Sequence, residues 1–271
     1  MFLVTGGTGT LGRLVVPQLL QAGGKVRVLS RHDHETAGGV EYAVGDLDTG
    51  AGIDAAVAGA DVIVHCAGAQ KGDGDKARTL VGAASRAEGP AAPHLVNISV
   101  TGADRVPQEG RLDRTMFGYF GSKLDAEEVI AGSGLPWTTL RATQFYDLLL
   151  MMARAMTRLP VIPVASGMRF QPVDAGEVAA RLAELAQGPP SGLVPDLAGP
   201  RVYPMADLIQ SYLRAAGKRR PFVSVPLPGR AAQAVRDGAN LAPNGRSAAA
   251  PGRSSWPSGS GASSPARRGR R

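Results

Sequence analysis

An α/β fold with a doubly wound, mostly parallel sheet is predicted by three observations in this 271-residue sequence. Short β-branched or apolar runs alternate with helical patterns through the first half of the chain, a glycine-rich turn follows the first run directly, and the alternation loses its regularity after Arg141. Strands that alternate with helices at this spacing form crossover units, and these make neighbouring strands parallel. With 44% hydrophobic and 20% charged residues, the chain carries enough apolar side chains for a sizeable core.

Taken in order, the strand-like runs are residues 2–4, 26–29, 40–44, 62–64, 94–98 and 137–140. Residues 11–21, 53–58 and 123–131 fit crossover helices, and Pro17 inside the first predicts a kink because it removes one backbone hydrogen bond. Residues 1–141 are therefore read as the core of the sheet. Beyond them come a Met-rich helix over 148–157, a stretch bounded by Pro160 and Pro163, and a helix over 175–187. Further helices are predicted at 205–216 and 229–237, separated by the Pro-rich link 221–228. Residues 142–242 thus read as a small substrate lobe interleaved with the end of the sheet. From Pro243 to Arg271 the chain is Gly, Ser, Pro, Ala and Arg apart from Asn244 and one Trp256, too little apolar surface to offset ordering entropy, so a disordered tail is expected.

Charge and cysteine content exclude several classes. Six arginines and no acid lie in 245–271, and they account for nearly all of the formal net charge of +7. The body is close to neutral and only 5% aromatic, so no nucleic-acid partner is expected. No run reaches the roughly 18–20 apolar residues of a membrane span. The one cysteine, Cys66, leaves no disulfide framework and no thiolate metal site. The first residues pass straight into a glycine turn, so no leader is expected and a reducing cytoplasm is the expected compartment.

The turn is Thr5-Gly6-Gly7-Thr8-Gly9-Thr10-Leu11-Gly12. Glycines at 6, 9 and 12 provide in turn a tight reversal, room for backbone to touch a pyrophosphate, and close packing of helix on strand. A helix opening here offers amides and a partial positive charge to phosphates. The pattern, between a strand and a helix, is that of a Rossmann-type dinucleotide site. The second strand ends Leu29-Ser30-Arg31, with Ser30 where an acid would hold adenosine ribose hydroxyls. Arg31 suits a 2′-phosphate through charge-assisted bonds, which favours NADP(H) over NAD(H). Asp33, two residues on, keeps NAD as the alternative, and a solvated loop cation is the other reading of Arg31. Asp46 and Leu47 are expected beside the adenine, and Cys66, Ala67 and Gly68 beneath the cofactor, with a small buried strand end as the other reading of His65 and Cys66.

Tyr119 and Lys123, four residues apart, share one helix face. A phenol with an ordinary pKa near 10 is a poor acid–base group at neutral pH, and a nearby ammonium draws it towards phenolate. The pair is therefore the candidate proton donor to a carbonyl that accepts hydride, with Ser99 orienting the same carbonyl. An ordinary helix-surface contact and a purely ribose-binding lysine are the alternatives.

These residues, with the stretch from Gly134 to Phe145 and Phe170-Gln171-Pro172-Val173-Asp174, resemble the NmrA-like branch of the atypical and extended short-chain dehydrogenases/reductases over about residues 1–242. The resemblance implies six or seven mostly parallel strands and a C-terminal substrate lobe. It makes Tyr119 the general acid, has Lys123 hold the ribose, and sets Gln144 and Phe145 beside the nicotinamide. It implies an NADP(H)-dependent oxidoreductase acting on a small apolar carbonyl, quinone or flavin-like substrate, as a monomer or homodimer. A non-catalytic redox sensor and an epimerase of the same superfamily are the alternatives, and the tyrosine of the pair tilts the reading to the enzyme.

Overall fold

The computed structural model describes residues 1–36, 38–89, 91–242 and 245–247. The chain runs β1 (Phe2–Thr5), α1 (Gly12–Gln21), β2 (Val26–Ser30), β3 (Val40–Val44), α2 (Ile53–Val57), β4 (Val62–His65), α3 (Asp73–Arg86), β5 (His94–Val100), α4 (Arg111–Ala131) and β6 (Trp137–Ala142). These strands pair in the order β3-β2-β1-β4-β5-β6, all parallel, which is the expected doubly wound arrangement. The order reverses at β1, where the chain crosses from one half of the sheet to the other, and ligands of such sheets bind outside the strand ends at that crossing.

Alternate side chains of the strands feed two cores. Val4, Val28, Val64 and Val96 face α1 through Val15 and Leu19, and face α6 (Ala175–Gln187) through Val178 and Leu182. Leu3, Leu29, Ile63 and Leu95 face α2, α3 and α4 through Ile53, Leu80 and Ile130. The two-sided burial explains why the strands read as unbroken apolar runs. Each fully buried Leu, Ile or Val contributes on the order of 1.5–3 kcal/mol.

After β6 come α5 (Tyr146–Met156), β7 (Ile162–Ala165), β8 (Arg169–Phe170) and, beyond α6, β9 (Gly192–Leu193), β10 (Leu197–Ala198) and β11 (Tyr203–Pro204). The remaining elements are α7 (Met205–Ala215), β12 (Phe222–Val225), α8 (Arg230–Arg236) and β13 (Arg246–Ser247). β9 and β10 extend the main sheet beside β6. A third core joins Ile162 and Val164 of β7 to Ile209 and Leu213 of α7 and to Ala231 and Val235 of α8. Phe117 and Phe120 of α4 pack against it, so α4 belongs to both halves of the molecule.

The structure departs from the sequence expectations at several places. Residues 73–86, to which the sequence pattern assigns no element, form α3, with Gly72 in the left-handed region (φ +82°) just before it. The stretch 102–118, to which the sequence pattern also assigns no element, becomes helical from Arg111. Its head is held by the Asp113 carboxylate, which accepts the Ala231 N–H of α8 at 3.2 Å. The Pro-rich link 221–228 contains β12, parallel to β7. Pro17 lies within α1, which runs unbroken from Gly12 to Gln21. Of the expected tail, Arg246–Ser247 pairs with β10, and 243–244 and 248–271 lie outside the described residues.

Candidate active site

The glycine turn between β1 and α1 is built by contacts that no side chain could share. Gly6 has φ +67°, and a Cβ there would sit 2.6 Å from the Ala67 amide nitrogen. A Cβ on Gly12 would lie 2.3 Å from the Gly6 carbonyl oxygen. At Gly9 a Cβ would meet the Gly6 oxygen alone, at 3.1 Å, so this glycine leaves space above the turn. No side chain caps the start of α1; the Arg13 and Leu14 N–H groups bond to the Gly9 and Leu11 carbonyls, so a ligand would meet the amides just ahead of them. Open backbone, uncapped helix and strand ends meet the requirements of a dinucleotide pyrophosphate. Thr5 acts below the turn, where its hydroxyl and His65 Nδ1 share a 2.7 Å hydrogen bond.

One cleft of about 570 Å³ opens over the ends of β1, β4, β5 and β6. It brings together Gly9, Thr10 and Leu11 of the turn, Cys66 and Gly68 after β4, and Ser99 of β5. Tyr119 and Lys123 of α4 and Gln144 and Phe145 after β6 complete the expected set. Thr5, Gly6, Thr8, Gly12 and Ala67 do not line it. Ser30 and Arg31 at the end of β2, and Asp46 and Leu47 after β3, also stand apart from it, on the β2–β3 side of the sheet. There Ser30 is buried and its hydroxyl accepts the His32 N–H at 3.1 Å, while Arg31 is exposed. One Asp46 carboxylate oxygen accepts the Asp48 N–H at 2.9 Å, and Leu47 is buried.

Phe117, Phe120, Met168 and Phe170 add an apolar and aromatic wall that the sequence reading did not assign. Val235 and Asn240, nearly a hundred residues beyond β6, also line it. Gln144 lines the cleft, but its amide is engaged at both ends: Nε2 donates to the Asn240 carbonyl at 3.1 Å, and Oε1 accepts the Gln171 N–H at 3.2 Å. Arg105 anchors the same C-terminal segment, donating to the carbonyls of Ala239 and Leu241 at 2.9 and 3.2 Å.

Lys123 is buried, and its ammonium pairs with the Asp73 carboxylate at 2.9 Å. The nitrogen lies so close over Gly68 that a Cβ there would be 2.6 Å away. Tyr119 keeps 40% of its surface exposed, with the Lys123 nitrogen 5.8 Å from its ring centroid. Lys123 alone would draw the phenol towards phenolate, as the sequence reading expects. The net direction is instead upward from the ordinary value, because desolvation and the Asp73 charge outweigh Lys123. Burial also raises the Cys66 thiol to about 12, against the pull of Lys123. Burial and the charges of Lys123 and Lys76 push His65 down to about 3. Both are neutral near pH 7. Asp73 has no counterpart in the sequence reading. The signal available was an acid in the first turn after a left-handed glycine, and its partner lies fifty positions away.

A profile of the family described as NAD(P)H-binding matches residues 6–185. The chain is 29% identical to a ceramide reductase of Caulobacter vibrioides over 247 residues, 83% of this chain and 74% of that protein. Among solved structures it is similar to an NADPH-dependent quinone oxidoreductase of Escherichia coli complexed with NADPH, at TM-score 0.70 and 21% identity over 89% of each chain. It is also similar to the triphenylmethane reductase of Citrobacter sp. complexed with NADP(H), at TM-score 0.68 and 20% identity over 88% of this chain and 90% of that one. At these identities the structural likeness shows the fold.

Proposed function

Because this chain belongs to the NAD(P)H-binding family, we propose that it is an NADP(H)-dependent oxidoreductase that reduces a small apolar carbonyl, quinone or flavin-like substrate. The observation that carries this reading is the convergence of Ser99, Tyr119 and Lys123 on the cleft that the glycine turn also lines. NADP(H) lying across the turn would supply the hydride. The backbone of Thr10, Leu11 and Gly12, where the turn enters α1, would hold the pyrophosphate, Arg31 the 2′-phosphate, and Lys123 the ribose near Gly68. The Ser99 hydroxyl, buried with no protein partner among the described residues, is free to bond a substrate oxygen. Tyr119 would then protonate that oxygen as hydride arrives. The Phe117, Phe120, Phe145 and Phe170 walls favour a flat apolar substrate and exclude water from the transfer.

The test is NADPH consumption with quinone, flavin and aldehyde acceptors, in the parent protein and in Tyr119→Phe. Removal of the hydroxyl should lower turnover by about 10² to 10⁴-fold, the usual contribution of a positioned general acid, with NADPH affinity unchanged. Dinucleotide binding without consumption of NADPH by any acceptor would favour the sensor. Full turnover in Tyr119→Phe would refute the assignment of the proton donor.

A further inference from the structure

The Tyr119–Lys123 pair does not stand alone in the cleft wall. Asp73, 1% exposed at the first position of α3, joins three parts of the site. One carboxylate oxygen accepts the Ala69 N–H at 2.7 Å in the loop that passes below the cleft. The other pairs with Lys123 at 2.9 Å, and the Asp73 N–H donates to the Ser122 hydroxyl at 3.1 Å. A buried carboxylate is costly unless paired, and here the pair ties α3 to α4 at the candidate proton donor. We infer that Asp73 is a positioning residue that fixes the Lys123 ammonium over Gly68 and offsets part of its charge beside Tyr119, the proton donor. This rests on the reading of Tyr119 as proton donor.

The electrostatic surroundings agree. Lys123 on the phenol's own helix and Asp73 on α3 are the charged groups that act on it, in opposite directions. From β4 and its following loop come His65 and Cys66, both neutral near pH 7. The other polar side chains of the cleft, Gln70, Ser99, Thr143, Gln144 and Asn240 among them, do not titrate. With Asp73 neutralised, Lys123 would act on the phenol unopposed. An opposite charge at about 4–6 Å shifts a titration by roughly 1–3 pH units.

The test reads Tyr119 directly. The phenolate absorbance of the apoprotein is titrated in the parent, Asp73→Asn and the double variant Asp73→Asn with Lys123→Met. Each is measured against its Tyr119→Phe counterpart, so that the other tyrosines cancel. Asparagine keeps the oxygen that accepts the Ala69 N–H. The Tyr119 midpoint should fall in Asp73→Asn by about 1 pH unit, the low end for a nearby charge because only the Asp73 repulsion is lost, and rise to the parent value or above it in the double variant. The alkaline limb of kcat/KM for menadione reduction by NADPH should move down with it. An unmoved midpoint in Asp73→Asn, or an equal fall in the double variant, overturns the inference. Should Asp73→Asn lose its cooperative melt, Lys123→Met alone decides the question: the unopposed Asp73 charge must raise the midpoint, and an unmoved phenol again overturns it. If Tyr119→Phe keeps full turnover, the proton-donor reading fails and takes this inference with it. If Tyr119→Phe is inactive while the phenol does not shift, the inference alone fails.

Discussion

Replacing Gly12 by alanine puts a methyl group where the structure has only backbone. The added carbon would lie 2.3 Å from the Gly6 oxygen, 2.5 Å from the Gly7 Cα and 2.8 Å from the Gly6 carbonyl carbon. An unstrained contact needs about a further ångström from each. None of the three is a side chain that can swing away, so α1 must lift from the turn or the turn must open. Overpacking of this kind costs about 1–3 kcal/mol. In a domain of this size each kcal/mol lowers Tm by about 2–4 °C. The displaced atoms are also those that would face the pyrophosphate, so NADPH affinity should fall at least tenfold. Gly9→Ala provides the contrast. Its one close neighbour is 3.1 Å away, and the methyl projects into the space above the turn. Its Tm should stay near that of the parent while NADPH binding weakens. Thermal melts by circular dichroism and NADPH fluorescence titrations separate the two effects. A Gly12→Ala protein with parental Tm and parental affinity would refute the argument.

Three further outcomes are expected. Arg31→Asp should invert a preference for NADPH over NADH by placing a like charge beside the 2′-phosphate; equal affinities for the two in the parent, by titration, would remove the basis for it. Truncation after Ala242 keeps the Arg105 bonds to Ala239 and Leu241 and loses the β13 pairing, so cooperative melting and NADPH binding should persist; collapse of the transition would show that residues 243–271 support the fold. His65 titrates near 6.5 when unfolded and about 3 when folded, so the unfolded chain binds the extra proton, and the stability due to this residue is complete above pH 6.5 and lost as pH falls towards 3. The loss approaches about 1.4 kcal/mol per pH unit, and urea melts of His65→Gln should show a shallower acid limb than the parent.

Where short-range chemistry decided the structure, the sequence was legible. The six core strands, the parallel pairing and the glycine turn follow from β-branched runs, crossover spacing and steric need, all local properties. The unread elements depend on distant partners. The first half of α4, with Gly118, Gly121 and little apolar periodicity, has weak helical preference of its own. It is helical because Phe117 and Phe120 pack on the third core and Asp113 receives the head of α8. Asp73 was hidden for the same reason: beside Gly72 and Gly74 it looks like a turn acid, and only folding brings Lys123 to it. Gln144 was placed at the cleft without sign that Asn240 and Gln171 would occupy its amide. Tyr119 and Lys123 were visible as a pair, but the third charge that sets their balance was not.

The C-terminal part of the cleft wall has a consequence for biosynthesis. Val235 and Asn240 line the same cavity as the glycine turn, although more than two hundred residues separate them in the chain. Domains emerge from the ribosome N-terminal part first. The turn, α1 and the first six strands are complete by Ala142, and α6, which covers one face of the sheet, by Gln187, whereas the part of the wall made by Val235 and Asn240 does not exist until those residues have left the exit tunnel. A nascent chain therefore acquires its dinucleotide cradle well before it has a chamber in which a substrate could meet the hydride. Stalled chains of increasing length should gain retention on immobilised dinucleotide earlier than they gain any reductase turnover.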